Sequence, residues 1–325
     1  MNSAVEWGNA QAAMDNLRAS QLPYWDGYLG FYSSWLKGYF REPWAMLMPF
    51  DDHGFHRGDG VFEAVRLHDG AYFDLQSHLR RLKKSAAYIG MELPSGVDEI
   101  QAICVRLAHL CASPSGVLRL YVTRGPGSFS QSPKEVIGHQ IYAAITKMKV
   151  PAATVYENGC RAMFSTVPAK DPFWSQVKSC NYLQNVLMKK ECLDRDIDFA
   201  VSIGENGRLC EGSTESMFLV SESGELIVPK FDYTLRGTTI QVVMRLADAL
   251  LENKTISAVR FGDLRKEDLL GAREAAFVGT TMGVLPMSQI EGHSIGSGKA
   301  GPVAKFLQTA LMDEMSKNSR LRTVF

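Results

Sequence analysis

A lysine and a carboxylate that could serve in catalysis occur in the second half of the chain, at positions 178 and 211. A lysine becomes a nucleophile when burial or a positive neighbour lowers its pKa and releases its proton. Phe173, Trp174 and Val177 precede Lys178 and give it an apolar approach, whereas Glu211 ends a predicted strand. A lysine at a helix start and a carboxylate at a strand end are usually solvated, so neither residue alone establishes a site.

Two turns made of glycine and threonine could bind an anion. They are Gly237-Thr238-Thr239, which opens a predicted helix, and Gly279-Thr280-Thr281, which ends a predicted strand. Such turns offer backbone N–H groups to an anion, especially at a helix N-terminus. Arg81 lies in the basic run 80–84, which on a helix normally faces water. Each feature alone is a cap or a charged surface, so the case for a site depends on their combination.

The composition is that of an ordinary globular protein. The chain has 325 residues, of which 46% are hydrophobic and 22% charged, and this length favours two domains. Lysine plus arginine equals aspartate plus glutamate, 35 of each, so no net charge favours nucleic acid or an anionic membrane. No apolar run approaches the length of a membrane span. We therefore expect neither nucleic acid nor a membrane as a partner.

The cysteines and histidines show no metal-binding spacing. Six cysteines are scattered without a CxxC motif, and the seven histidines show no His-x-x-x-His pairing. The pattern is typical of reduced thiols in a cytoplasmic protein without a metal site. The N-terminus also lacks the basic and apolar regions of a signal peptide.

Hydrophobic periodicity divides the chain into an extension and two domains. Residues 1–42 are predicted to form an N-terminal extension, with a polar helix over 4–17 and an aromatic stretch that packs on the body or on a partner subunit. Residues 43–147 are predicted to form a small α+β domain, whose first strand is Met46–Phe50 and whose first helix buries a stripe of leucines. Residues 148–160, which include Pro151, are predicted to be an interdomain linker.

Residues 161–325 are predicted to form the larger domain. A helix begins near Lys178, with its apolar face supplied by Leu183, Val186, Leu187 and Leu193. Short strands follow in a meander, with turns at Asn206-Gly207 and Ser223-Gly224. The predicted fold class is therefore α+β (or α/β), with a small N-terminal domain and a larger domain built on a β-barrel-like meander.

Five motifs, in order, resemble the signature of the class IV (fold type IV) pyridoxal phosphate aminotransferases. They are GDGVFEAVR at 58–66, HLRRL at 78–82, KSCNYL at 178–183, EGSTESMF at 211–218 and GTT at 279–281. The resemblance covers residues 33 to about 311. It is greatest to the branch of D-amino acid aminotransferases and aminodeoxychorismate lyases, and it extends to branched-chain aminotransferases.

This resemblance implies roles for the cofactor residues. Lys178 would form the Schiff base with pyridoxal 5'-phosphate and move the proton, and Glu211 would pair with the pyridine nitrogen. Arg81 would bind the cofactor phosphate together with Thr238, Thr239 and Thr280. The remaining cofactor contacts that the resemblance implies are Tyr182 at the ring hydroxyl and Leu235 against the ring face.

The motifs of the substrate site depart from those of the best-known relatives. Arg57 stands where branched-chain members have tyrosine, and could either bind the substrate carboxylate or point outward. Arg119 matches a family arginine, although Val117 replaces the tyrosine two positions before it. Thr281 matches a position whose backbone meets the substrate carboxylate. The candidate substrate residues are thus Arg57, Arg119 and Thr281.

The resemblance implies an enzyme that transfers an amino group between an amino acid and a 2-oxo acid. The motifs around Arg57 favour D-amino acids. The alternatives are an aminodeoxychorismate lyase, which forms 4-aminobenzoate, and a branched-chain L-amino acid aminotransferase. The family is dimeric, so we also expect a homodimer.

Overall fold

The structure, a computed structural model, describes residues 8–325. Two β-sheets with helices packed on them make up this part of the chain. The helices are α1 (Ala10–Ala19), α2 (His53–His56), α3 (Leu75–Tyr88), α4 (Val97–Cys111), α5 (Ala153–Asn158), α6 (Pro172–Ser175), α7 (Leu183–Asp194), α8 (Thr238–Leu246), α9 (Asp248–Glu252), α10 (Lys266–Leu270) and α11 (Pro302–Lys317).

The strands follow one another in two groups, joined by the segment that contains α5. The strands are β1 (Tyr28–Ser33), β2 (Gly38–Phe40), β3 (Gly60–His68), β4 (Ala71–Phe73), β5 (Gly116–Thr123), β6 (Gln140–Thr146), β7 (Cys160–Phe164), β8 (Phe199–Val201), β9 (Ser216–Val220), β10 (Glu225–Pro229), β11 (Ala258–Gly262), β12 (Glu274–Gly279), β13 (Gly283–Ile290), β14 (His293–Ser294) and β15 (Arg322–Val324).

The first sheet has the order β15-β4-β3-β5-β6-β1-β2. Its central pairs are antiparallel, and Asp69 and Gly70 turn β3 into β4 with positive φ angles of 48° and 73°. Strand residues such as Val61 and Val65 alternate toward α3 and α4, because side chains two positions apart share a face. α3 buries Leu79 on the same core, as its leucine spacing predicts.

The first sheet takes in more of the chain than the sequence indicates. β1 pairs with β6, so residues from Tyr28 onward are part of the sheet and not of a separate extension. β15 pairs with β4, so the C-terminal residues return to this sheet from the second domain. The predicted strand at Met46–Phe50 does not form, because this stretch is a loop that follows a 3-10 turn at Pro43–Ala45. The predicted helix over 4–17 lies partly outside the described residues and begins at Ala10.

The second sheet has the order β11-β10-β9-β12-β13-β7-β8, with β14 on β13. Its two end strands are brought together by Leu209, which bridges to Ile203 beyond β8 and donates its N–H to the carbonyl of Leu264 beyond β11. This contact gives the sheet the barrel-like form expected from the meander. One core lies inside the curve of the sheet, around Phe277, and another lies under α8 and α11, around Phe218.

Helix α7 presents its apolar side chains differently from the prediction. Leu183, Val186 and Leu193 are 70%, 57% and 69% exposed, whereas Met188 and Cys192 face the core. The expected apolar face is therefore directed outward, away from this chain. No helix in the described range 8–325 has the length and apolar character needed to cross a membrane.

Candidate active site

A cavity of about 260 Å³ lies between the two sheets and gathers most of the residues singled out in the sequence. Ten of the eleven candidate residues line it. They are Arg81, Arg119, Lys178, Tyr182, Glu211, Leu235, Thr238, Thr239, Thr280 and Thr281. These residues come from helices, loops and a strand of both domains, so the cavity depends on the way the two domains meet.

Lys178 is held by the free edge of β3. The Val61–Ser179 pair forms an isolated antiparallel bridge there. The N–H of Phe62 donates to the carbonyl of Lys178 at 3.0 Å, and the N–H of Cys180 donates to Gly60 at 2.8 Å. The N–H of Lys178 itself donates to Ser85 Oγ at 3.2 Å. The lysine backbone is therefore fixed to the first sheet while its side chain enters the cavity.

The environment of Lys178 favours a neutral amine. Burial, followed by the positive charge of Arg81, lowers the pKa of Lys178 to about 8 against the opposing charge of Glu63. Its Nζ lies 4.6 Å from the centre of the Phe62 ring and 5.9 Å from that of the Tyr182 ring. A lysine in this setting can act as a nucleophile near neutral pH.

Glu211 is the carboxylate of the cavity, and its pKa is also shifted by burial. Burial raises the pKa of Glu211 to about 7, while Lys170 and a hydrogen bond from the Leu235 N–H, at 3.1 Å from Oε2, oppose this rise. A cation placed against the carboxylate would favour its ionised form. Glu211 is therefore suited to pair with a protonated ring nitrogen.

The donors that could bind a phosphate come from two helices and a turn. Thr238 and Thr239 are the first residues of α8, whose unpaired N–H groups favour an anion. Gly237 precedes them, and a Cβ at this position would meet Ser216 Oγ at 2.6 Å, so the close approach needs glycine. Thr280 and Thr281 form the turn between β12 and β13. Arg81, which is largely buried, supplies the positive charge.

The two candidate arginines of the substrate site have different positions. Arg119 is exposed on β5 opposite Ala64, and both line the cavity. Arg57 is exposed and does not line the cavity; its guanidinium donates to the carbonyl of His56 at 3.2 Å and to that of Phe129 at 2.5 Å. Within this chain, Arg57 is therefore an outward-pointing residue.

The sequence reading assigned no role to several residues that the structure brings to the site. Lys170 lines the cavity beside Glu211, and burial lowers its pKa. Glu63 and His78 lie behind Arg81. Strand alternation places Glu63 on the core face with Val61 and Val65. A carboxylate predicted on a buried face is the sequence feature that could have pointed to Glu63.

The residues present fit the cofactor that the sequence resemblance implies. A lysine with a lowered pKa suits an aldehyde, and Glu211 suits a pyridine nitrogen. Arg81 and the start of α8 form a set of donors suited to a phosphate dianion. The cavity also has apolar surface from Leu235, which can face an aromatic ring.

Comparisons with known proteins agree with this reading. A family model described as aminotransferase class IV matches residues 60–290. The D-amino-acid transaminase, chloroplastic, of Arabidopsis thaliana is 32% identical over 289 residues, covering 89% of this chain and 77% of that protein. The D-alanine aminotransferase of Bacillus licheniformis is 31% identical, covering 82% and 90%.

Solved structures show the same fold. A branched-chain amino acid aminotransferase of Escherichia coli matches with a TM-score of 0.80 and 25% identity, covering 88% of this chain and 93% of that one. A second branched-chain amino acid aminotransferase, from T.th. and solved with pyridoxamine 5'-phosphate, matches with a TM-score of 0.83 and 24% identity, covering 91% and 98%.

Proposed function

Because the chain belongs to the class IV aminotransferase family, we propose that Lys178 is the residue that binds its pyridoxal phosphate and moves the proton during transamination. The observation that carries the proposal is a single cavity that holds Lys178, Glu211 and the donors for a phosphate. The enzyme is a pyridoxal phosphate-dependent aminotransferase with an amino acid and a 2-oxo acid as substrates.

The cofactor supplies an aldehyde that condenses with amines and a ring that accepts electrons from the substrate Cα. The residues of the protein position the cofactor and the substrate and move the proton. Lys178 would use its free amine to take the proton from the substrate Cα and to deliver it to C4′ of the cofactor, which is general acid–base catalysis. The lowered pKa of Lys178 makes this exchange possible near neutral pH.

Three residues have supporting roles in this proposal. Glu211 keeps the ring nitrogen protonated, because an adjacent carboxylate favours the cationic form. The Tyr182 hydroxyl, whose pKa is raised by burial and by Glu211, stays protonated and can donate to the ring oxygen. Leu235 lines the cavity and donates its backbone N–H to Glu211, so one residue fixes the carboxylate and faces the ring.

The substrate carboxylate has two candidate partners in the cavity. The backbone of Thr281 lies in the turn after β12, and Arg119 projects from β5. An arginine binds a carboxylate in a bidentate manner. We propose D-amino acids as the preferred substrates, with support from the names of the Arabidopsis and Bacillus relatives and from the motifs around Arg57.

A half-reaction screen tests the proposed function. The holoenzyme is mixed with single D- and L-amino acids, and the cofactor absorbance is followed without a 2-oxo acid. We expect bleaching with D-amino acids, its reversal by a 2-oxo acid, and a loss of activity greater than about 10³-fold for Lys178→Ala. Bleaching by branched-chain L-amino acids alone would redirect the substrate assignment to that class.

The lyase alternative differs in what it consumes. A structure of 4-amino-4-deoxychorismate lyase from Pseudomonas aeruginosa shares the fold, with a TM-score of 0.73 at 22% identity. A lyase needs no 2-oxo acid, whereas an aminotransferase forms a new amino acid from one. Release of 4-aminobenzoate from aminodeoxychorismate without added 2-oxo acid would favour the lyase.

We also propose a homodimer, supported by two apolar surfaces. Phe50, Phe55 and Phe129 form an exposed aromatic cluster with ring centres 5.5 and 5.8 Å apart, and Arg57 is bonded beside it. The outer face of α7 is the second surface. Exposed apolar patches of this kind mark interfaces between proteins. Arg57 does not line the cavity of its own chain. In a dimer, Arg57 of one copy could reach the cavity of the other.

A mixing experiment tests whether Arg57 acts across the interface. The Lys178→Ala and Arg57→Ala variants are each assayed alone, and then unfolded, mixed and refolded together. If Arg57 serves the partner's site, half of the dimers have one intact site, and about a quarter of the wild-type activity returns. Full activity of Arg57→Ala on its own would place Arg57 outside the site. If that variant is inactive and mixed dimers, shown by sedimentation, recover nothing, Arg57 does not act across the interface.

We further propose a cytoplasmic location, for which the support is chemical. All six cysteines are free, which is typical of a reducing compartment. The Arabidopsis relative is named chloroplastic, so cell fractionation is the test, and recovery in an organelle would contradict the proposal.

A further inference from the structure

A buried chain of hydrogen bonds lies behind the proposed phosphate site and joins the two domains. We call it the relay, and it consists of Arg81, Glu63, His78 and Thr238. Arg81 Nε and Nη2 donate to the two oxygens of Glu63 at 2.7 and 2.6 Å. His78 Nδ1 lies 2.7 Å from Glu63 Oε2, and His78 Nε2 lies 3.1 Å from Thr238 Oγ1.

The two middle members of the relay are closed to solvent. Glu63 is 0% exposed and His78 is 2% exposed. Burial alone would raise the pKa of Glu63, but the charge and hydrogen bonds of Arg81, followed by those of His78, bring it down to about 2. The carboxylate is thus a permanent acceptor, so His78 donates from Nδ1 and its Nε2 faces the Thr238 hydroxyl.

The bonds to Arg81 leave one set of donors free. A guanidinium has five N–H groups in a fixed plane. Glu63 takes two of them, on Nε and Nη2, and the carbonyl of Arg236 takes one on Nη1 at 3.2 Å. Two therefore remain, one on each terminal nitrogen, as a fork that suits a phosphate. Glu63 fixes the plane of this fork, because its two hydrogen bonds restrict Arg81 to one of the many rotamers that an arginine side chain can adopt.

The relay also joins the two halves of the phosphate site. Glu63 lies on β3 and His78 and Arg81 lie on α3, all from the first sheet and its helices. Thr238 begins α8, which packs on the second sheet. His78 therefore links Glu63 to the start of α8 across the domain boundary, beside the direct bond from Arg81 to the carbonyl of Arg236.

We infer that Glu63 and His78 are positioning residues that hold Arg81 and the start of α8 ready for the phosphate of the cofactor, an inference that rests on the proposed function. Neither side chain lines the cavity, so each acts through the residue that it bonds. The contribution is specific to the phosphate end of the cofactor. The ring end is held by other residues, Lys178 and Glu211 among them.

A comparison of two ligands tests the inference. Dissociation constants are measured for pyridoxal phosphate and for pyridoxal, which lacks the phosphate, with each variant freed of cofactor. For His78→Asn, which keeps a donor near Glu63 but cannot reach Thr238, we expect the affinity for pyridoxal phosphate to fall about tenfold. The affinity for pyridoxal should stay at the wild-type value.

For Glu63→Gln, the direction of the change in affinity for pyridoxal phosphate tests the inference. Loss of a negative charge near the phosphate would by itself tighten binding, whereas loss of the side-on bonds to Arg81 would weaken it. Because charge-assisted hydrogen bonds are strong and geometric, we expect weakening of about tenfold or more for pyridoxal phosphate alone. Tighter binding, or an equal loss for both ligands, would overturn the inference.

Asp59→Asn is the matched control. Asp59 forms a similar bidentate pair with Arg124, at 2.8 and 3.0 Å, away from the cavity lining. This variant should lower stability without changing the ratio of the two dissociation constants. If the wild-type protein bound neither ligand, the proposed function would fail; if it bound both and His78→Asn left the ratio unchanged, only the relay would be refuted.

Discussion

The titration of Lys178 in the cofactor-free protein is the prediction that follows most directly from the geometry. A free lysine has a pKa of about 10.4, so at pH 7 fewer than about one amine in a thousand is neutral. The pKa of Lys178 is about 8, because burial and Arg81 disfavour its charged form. About one amine in ten is then neutral at pH 7, a gain of a few hundredfold.

Reductive methylation followed by peptide mass spectrometry measures this titration. The cofactor-free protein is labelled briefly at a series of pH values, and the labelled fraction of Lys178 is followed against a model lysine amide. Because only the neutral amine reacts, labelling of Lys178 should rise with pH and reach its midpoint near 8, well below the midpoint of the amide.

Two variants should move the midpoint in opposite directions. Glu211→Gln removes a negative charge that stabilises the ammonium ion, so the pKa of Lys178 should fall. Arg81→Gln removes a positive charge and frees Glu63, so the pKa should rise. A midpoint near that of the free amide, or shifts of the reverse sign, would refute the electrostatic account of the cavity.

Three further predictions concern the ring, the substrate and the core. Glu211→Gln should lower kcat by about 10²-fold or more, whereas Glu211→Asp should keep part of the activity. Steady-state kinetics with saturating cofactor measures both, and full activity in both variants would contradict the prediction. Arg119→Met should raise KM for alanine and for a dicarboxylic substrate alike, because both carry the carboxylate that Arg119 is proposed to bind, and an unchanged KM for both would exclude this contact. Leu118→Ala should lower the free energy of unfolding by about 2–5 kcal/mol, because Leu118 is fully buried, and urea denaturation that shows no loss would argue against this core.

Most of the candidate residues that line the cavity could be named from the sequence, because they occur in motifs of fixed order. Lys178, Glu211 and the two threonine turns are far apart in the chain, yet the structure places them around one cavity. Local patterns also gave the helix α3, whose leucines are spaced for one buried face. These features depend on short stretches of sequence, in which residue spacing and hydrophobic periodicity predict the local structure.

Features that depend on distant contacts could not be predicted. β1 joins the first sheet only because β6 offers it an edge, and β15 returns there from the other end of the chain. The leucines of α7 have helical spacing, but the spacing does not say whether the face meets this chain or another. Glu63 and His78 were visible within the motifs, but their bonds to Arg81 and Thr238 required the tertiary structure.

The identity of the lysine that binds the cofactor is the central claim, and the cavity contains two lysines, Lys170 and Lys178. Borohydride reduction of the holoenzyme fixes the cofactor to the lysine that holds it, and peptide mass spectrometry then locates the label. We predict that the phosphopyridoxyl group is found on Lys178 and is absent from the Lys178→Ala variant. A label on Lys170 in the wild-type protein would contradict the assignment of the catalytic residue.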